Sequence, residues 1–113
     1  MSTEAEAIGT TGIGLIDTAA AGDIAGLRAL LETSGLDLNA RDSHGRTALM
    51  AATYANRADA VDLLLQAGAN VDLQDDLLNN PFLYAGAEGL MEILILTHRA
   101  GADPTIRNRY GGV

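Results

Sequence analysis

The chain is expected to fold as an all-α solenoid of helix-turn-helix units with projecting finger loops, and three observations predict it. Glycine stands at Gly35, Gly68 and Gly101, 33 residues apart, each followed by a small or apolar residue and then an acid or amide. The residue that opens each unit, Asp42, Asp75 or Asn108, keeps the same 33-residue step. Two short apolar runs lie within each unit, the second with aliphatic side chains at three- and four-residue spacing. A fixed period in this range marks units that bury their apolar faces only by stacking on their neighbours.

Residues 1–8 read as a flexible acidic tail, and residues 9–41 as a degenerate first unit that caps the stack. Its opening, GTTGIG, lacks the order of a dinucleotide fingerprint and the Lys-Ser/Thr of a phosphate loop, and reads as a degenerate first finger or an entry loop. Leu15, Ile16, Ala19 and Ala20 belong to its first helix, Gly22-Asp23 to the break, and Ile24, Leu27, Leu30 and Leu31 to its second. One residue is inserted near Thr33-Ser34, which loosens that helix end. The stretch DLNARD, Asp37–Asp42, lacks the central glycine and distal glutamate of a calcium loop and reads as a turn into the next finger.

Residues 42–74 are the most regular unit. Asp42-x-x-Gly45 is turn chemistry, because Asp bonds its own backbone two residues on and Gly takes the positive φ of a tight turn. Thr47 is placed to cap a narrow first helix of Ala48, Leu49, Ala51 and Ala52. Val61, Leu64 and Leu65, with Leu63 beside them, form the apolar stripe of the second helix, and Gly68 ends it with a left-handed cap. Helices of about 9 and about 11 residues are too short to be stable alone.

Residues 75–107 repeat the plan less regularly. Asn80 falls at the cap and Pro81 in the first turn, where its missing N–H costs nothing. Phe82, Leu83 and Ala85 line the first helix, and Ile93, Leu94 and Leu96 the second. Thr97 and His98 replace the Leu64-Leu65 pair, for which the sequence offers no reason. Residues 108–113 open the finger of a fourth unit, with Val113 at its helix-start position, so the array reads as partial and its outer face as open to self-association.

Asp42, Gly45, Thr47, Leu49, Ala52, Val61, Leu63, Leu64, Gly68, Ala69, Asn70 and Val71 together resemble the ankyrin repeat, whose pattern runs D-x-x-G-x-T-P-L-H-x-A-A, a break, then V-x-x-L-L-x-x-G-A-D-V-N. Ala48 stands where that family has proline and Met50 where it has histidine, so the family's Thr-His hydrogen bonding is missing. The segment NPFLYAGAEG, Asn80–Gly89, resembles a variant found in bacterial ankyrin-repeat proteins. The resemblance implies three repeats plus the start of a fourth.

Fifteen acids face seven arginines and no lysine, a net charge of −8. That balance suits neither nucleic-acid phosphates nor an anionic membrane. The chain has no cysteine, so disulfides and thiolate zinc sites are excluded. The amino terminus lacks signal-peptide character and no apolar run reaches membrane-spanning length, so the cytoplasm is the expected compartment, or the periplasm or exterior if a leader has been removed.

Chemistry has little to work with. The two histidines, His44 on a finger and His98 near the end of an outer helix, are expected on different faces, from which a shared metal site or a Ser/His/Asp arrangement is hard to build. The acids Asp59, Asp62, Asp72, Asp75 and Asp76 are spread over an open surface and read as solvated faces and turn residues rather than an acid-base pair. Neither catalysis, cofactor nor metal is expected.

By resemblance, a partner protein is expected on the concave face made by the finger tips and inner helices. Carried over by register, that face comprises Arg41, Ser43, His44, Arg46, Tyr54 and Ala55 in the second unit, then Gln74, Asp76, Leu77, Asn79, Ala87 and Glu88 in the third, with Arg107, Arg109 and Tyr110 in the fourth finger. Tyr54 and Tyr110 are the candidate aromatic anchors. Leu77-Leu78 either join the interface or pack beneath Tyr84. The alternative to a binding module is a structural spacer within a longer array.

Overall fold

The computed structural model describes residues 13–109, which leaves the acidic tail, most of the GTTGIG segment, Tyr110 and Val113 outside the described residues. Six helices follow in pairs: α1 Ile13–Ala21 with α2 Ile24–Leu31, α3 Ala48–Tyr54 with α4 Ala58–Gln66, and α5 Pro81–Glu88 with α6 Met91–Arg99. No strand occurs among the described residues. The pairs stack in two layers, an inner row α1-α3-α5 and an outer row α2-α4-α6, each helix packing on its pair-mate and on its counterparts in the neighbouring units. The result is an all-helical stack, with helices shorter than expected: α3 spans 7 residues and α4 spans 9.

Periodic burial holds the rows together. Ala19, Ala52 and Ala85 recur in the inner row and are fully buried, so a larger side chain at any of them would overpack the stack. Leu15, Leu27, Leu49, Val61, Leu64 and Ile93 fill the space between rows and are at most 1% exposed. Thr97, at the register position of Leu64, is also fully buried. Its hydroxyl donates to the carbonyls of Ile93 and Leu94 at 2.8 and 3.0 Å, so the polar group is satisfied within its own helix and only side-chain volume is lost.

The caps follow the sequence closely. Thr47 Oγ1 accepts from Met50 N at 3.2 Å and Asn80 Oδ1 from Leu83 N at 2.9 Å, while Asp23 in the first break caps α2 by accepting from Gly26 N at 3.0 Å. After α4 and α6 the chain turns through Gly68 and Gly101, both at positive φ, and the next amides, Ala69 N and Ala102 N, donate back to the carbonyls of Leu64 and Thr97. Among the described residues that bond has no counterpart after α2, which is one residue shorter than α4, in keeping with the extra residue near Thr33-Ser34.

Hydrogen bonds also cross between units. Asn39 Oδ1 accepts from Asn70 N, and 33 residues on Asp72 Oδ1 accepts from Asp103 N, both at 2.9 Å. Asp37 and Asn39 are thus occupied in turns, since Asp37 Oδ1 accepts from Asn39 N. At the fingers Asp76 N donates to His44 O at 3.0 Å, and Arg109 Nη2 to Asp76 O at 2.6 Å.

Two departures from the periodic plan carry a cost. Leu78 occupies the finger position of Gly45, with φ of 62° against 74° for the glycine, in a region that disfavours a branched side chain. Asn80 Nδ2, by contrast with the hydroxyl of Thr47, is buried with no hydrogen-bond partner among the described residues.

Leu78→Gly is therefore expected to raise stability by about 0.5–1 kcal/mol, since the side chain is 44% exposed and its removal relieves strain. Gly45→Ala should lower it by at least as much, because the added Cβ would lie 2.7 Å from Asp76 Oδ1 at an already left-handed position. Denaturant unfolding of the two variants checks both signs. Asn80→Thr keeps the cap and removes the orphan donor, so it is expected to stabilise by about 1 kcal/mol in the same measurement.

Candidate functional site: the finger and inner-helix face

The fingers are built on carboxylates. Asp42 Oδ1 accepts from His44 N and Arg46 N, both at 2.9 Å, and Asp75 Oδ1 accepts from Leu77 N and Asn79 N, both at 3.0 Å, the same pair of bonds one unit later. The second oxygen distinguishes the units. Asp42 Oδ2 takes the Arg46 Nε at 2.8 Å, whereas Asp75 Oδ2 takes the Tyr54 hydroxyl. Burial pushes the Asp42 carboxyl up, but the amides of Arg46 and His44 and the Arg46 guanidinium outweigh it and hold the group below the usual carboxylate value.

Tyr54 closes the third finger onto α3. Its ring stands edge-on to Tyr84, with centroids 4.5 Å apart and planes at 68°. Asn79 Nδ2 approaches the same hydroxyl at 3.4 Å, and Asn79 Oδ1 accepts from Asn108 Nδ2 at 3.2 Å. Burial, then the Asp75 carboxylate it serves, push the Tyr54 hydroxyl up to about 12. Asp75 itself is 5% exposed.

Two adjoining concavities flank Arg46 and Tyr54. One, of about 330 Å³, is lined by Ile16, Asp17 and Ala20 of α1, by Asp42 and Arg46, and by Ala51, Tyr54 and Ala55 of α3. The other, of about 420 Å³, lies between the second and third fingers, among His44, Arg46, Tyr54, Asp75, Asp76 and Leu77. Leu77 is 49% exposed at its edge, and Leu78 is exposed on the same finger, so neither leucine is covered.

The residues nominated from the sequence divide by role. His44, Arg46, Tyr54, Asp76 and Leu77 line one concavity. Arg41, Ser43 and Glu88 are exposed nearby on the finger and at the end of α5. Others serve the scaffold: Gln74 Nε2 donates to Leu78 O at 2.6 Å and Arg107 O at 2.9 Å, Arg107 Nη1 donates to Pro104 O, and Arg109 and Asn79 tie fingers together. Tyr110 lies outside the described residues. Sequence reasoning missed α1, whose Ile16, Asp17 and Ala20 wall the first concavity; the exposed Asp17, the one charge on that helix, was the available signal. It also took Asp75 for a solvated turn acid, whereas burial and three accepted hydrogen bonds make it the anchor of the finger.

His44 and His98 sit on different elements, a finger and α6, where the His98 ring stacks 6.5 Å from that of Phe82. Among the described residues no group of three His, Cys, Asp or Glu side chains is placed to hold a metal ion.

Comparison with known proteins places this architecture. The family model for ankyrin repeats matches residues 15–108 as three copies. A palmitoyltransferase of Drosophila melanogaster is 37% identical over 102 residues, 89% of this chain and 16% of its own length. The human cyclin-dependent kinase inhibitor 2A is 36% identical over 98 residues, 86% of this chain and 62% of its own. Among solved structures, an ankyrin repeat domain from Acinetobacter baumannii superposes with a TM-score of 0.84 at 44% identity, over 88% of this chain and 50% of that one. The chain thus spans less than two thirds of the length of each of these relatives.

The Tyr54–Asp75 contact makes two measurable demands. Tyr54→Phe should keep the ring packing and lose about 1–2 kcal/mol of stability, because a buried carboxylate gives up a donor. The hydroxyl has its pKa raised from 10.0 to about 12 on folding, so its stabilisation is complete below pH 10 and is lost as pH rises through that interval. Unfolding measured from neutral pH to pH 12 should show a decline above pH 10 that is smaller in Tyr54→Phe, and the folded protein should retain a tyrosine that ionises late by phenolate absorbance.

Proposed function

The chain belongs to the ankyrin-repeat family, and from that premise we propose that it is a non-catalytic module holding a folded protein partner against its concave face. Ankyrin repeats are generally protein-protein interaction modules, and the fold is typically non-catalytic. The observation that carries the proposal is the concavity of about 420 Å³ between the second and third fingers, with the exposed Leu77 and His44 in its lining. Leu77 offers apolar area where a turn needs none, and the Arg46 and Asp76 side chains around it offer charge of both signs.

Rigidity supports the same reading. The fingers are tied to one another by Asp76 N to His44 O and Arg109 Nη2 to Asp76 O, and the second and third are each closed on their own carboxylate. A surface ordered before binding loses little conformational entropy when the partner arrives. Arg46 and Tyr54 contribute to the wall, but each is also committed to a finger carboxylate, so their replacement would disturb fold and binding together. His44 and Leu77 have exposed side chains and are the residues that separate the two effects.

Affinity capture with the intact chain beside a His44→Ala/Leu77→Ala variant, shown by circular dichroism to be folded, tests the proposal. A protein retained by the first and lost by the second, with affinity reduced at least roughly tenfold, is the expected outcome. Equal retention by both would place the partner elsewhere and favour a structural spacer.

A further inference from the structure

The second and third fingers share a turn but not a charge balance. Asp42 and Asp75 hold the same place 33 residues apart, and the position that gives Asp42 its cation, Arg46, is Asn79 one unit later. The Arg46–Asp42 pair is the only ion pair among the described residues. Asp75 accepts all three of its side-chain hydrogen bonds from neutral donors, the amides of Leu77 and Asn79 and the Tyr54 hydroxyl, so its charge is held by the finger without being neutralised. Asp76 beside it is exposed, and its carboxylate has no hydrogen bond or ion pair among the described residues. Its Oδ1 lies against the second finger, 2.7 Å from where a Cβ on Gly45 would stand, so the unpaired carboxylate sits between the two fingers.

The concavity of about 420 Å³ that Asp75 and Asp76 line also holds the exposed Leu77, the Tyr54 ring and His44, together with Arg46, whose charge is matched by Asp42. Arg109 is outside that lining, and its Nη2 is given to the Asp76 carbonyl. A neutral aliphatic group placed here would cover the Asp76 carboxylate without pairing it, and an anion would meet two carboxylates. The geometry points to a lysine or arginine side chain of the partner as the occupant, its methylenes laid on Leu77 and the Tyr54 ring and its charged end at Asp76. The partner then supplies from outside the cation that the second finger carries within itself. At longer range the chain's net charge of −8 draws a basic surface toward this one. The assignment rests on the binding role proposed above for the concave face, and adds the chemistry that the face selects.

Three short capped peptides of neutral sequence, differing only in a central lysine, norleucine or glutamate, test the assignment when titrated into the nitrogen-15-labelled full chain and followed by amide shifts. The lysine peptide is expected to move the amides of His44, Asp76 and Leu77 and to bind roughly threefold to fivefold tighter than the norleucine peptide, with glutamate weakest. Added salt should shrink that preference. Asp76→Asn keeps the shape of the side chain and the main-chain bonds of the finger, and should bring the lysine peptide down to the norleucine level with an unchanged circular dichroism spectrum. Norleucine bound as tightly as lysine, a preference for glutamate, a lysine preference that survives Asp76→Asn, or no shift at those three amides each overturns the assignment. The His44→Ala/Leu77→Ala capture leaves Asp76 in place and so reports separately. Partner loss there, with norleucine equal to lysine, keeps the concave-face reading and removes the cation, whereas capture unchanged in that variant removes both.

Discussion

Helices of seven to nine residues cannot hold their shape in water, and every helix described in this chain is of that length. Their stability has to come from the neighbouring pair. The constraint explains why side-chain volumes repeat as well as residue types: Ala19, Ala52 and Ala85 set the approach of the inner row, and a larger residue at any of them would force two units apart. It also explains why the polar groups at the unit boundaries are paired across the boundary, as Asn39 with Asn70 N and Asp72 with Asp103 N. Stacking and hydrogen bonding thus share one 33-residue step, and a residue out of step disturbs both.

That shared step is what made the fold legible. The left-handed glycines, the caps at Thr47 and Asn80, the break at Gly22-Asp23 and the apolar stripes are local devices, each set by one or two residues at a constant offset. What stayed hidden were exchanges between positions. Leu78 looked like part of an apolar finger because nothing in its own neighbourhood shows that it occupies a glycine position; aligning DDLL on DSHG would have exposed it. Thr97 looked like lost apolar burial because its hydroxyl is satisfied by its own helix, which a pattern of apolar residues does not register. Asx turns at Asp37 and Asp42 were legible, whereas the inward turn of Tyr54 onto Asp75 needed three dimensions, since 21 residues separate the two.

The candidate site was legible in outline and misassigned in detail for a related reason. Register transfers a backbone position, not the direction a side chain takes. Arg46 and Tyr54 fall where a concave surface is expected, yet each spends its polar group on a finger carboxylate, and Gln74, Asn79, Arg107 and Arg109 fasten the third and fourth fingers. Removing the fasteners from the nominated set leaves His44, Asp76 and Leu77, with Arg41, Ser43, Ala55, Ala87 and Glu88, exposed. The proposed binding surface is thereby smaller than the sequence suggested, and better ordered.

The third finger concentrates the departures from the plan. Leu78 takes a backbone conformation that glycine would adopt freely, Asp75 is buried, Asn80 leaves a donor without a partner, and Leu77 is left in the open at the edge of a concavity. The second finger achieves the same turn with glycine and a threonine cap, so none of these features is required to make a finger. The Leu78 backbone and the unpartnered Asn80 donor lower stability, and both lie at this one finger rather than scattered through the stack. Costs that cluster at one surface loop, beside the concavity and away from the buried inner row, fit the binding role proposed for that loop. Leu77 owes its exposure to this finger's geometry, which ties its amide to Asp75 and turns its side chain outward, and that links the local strain to the surface proposed to meet a partner.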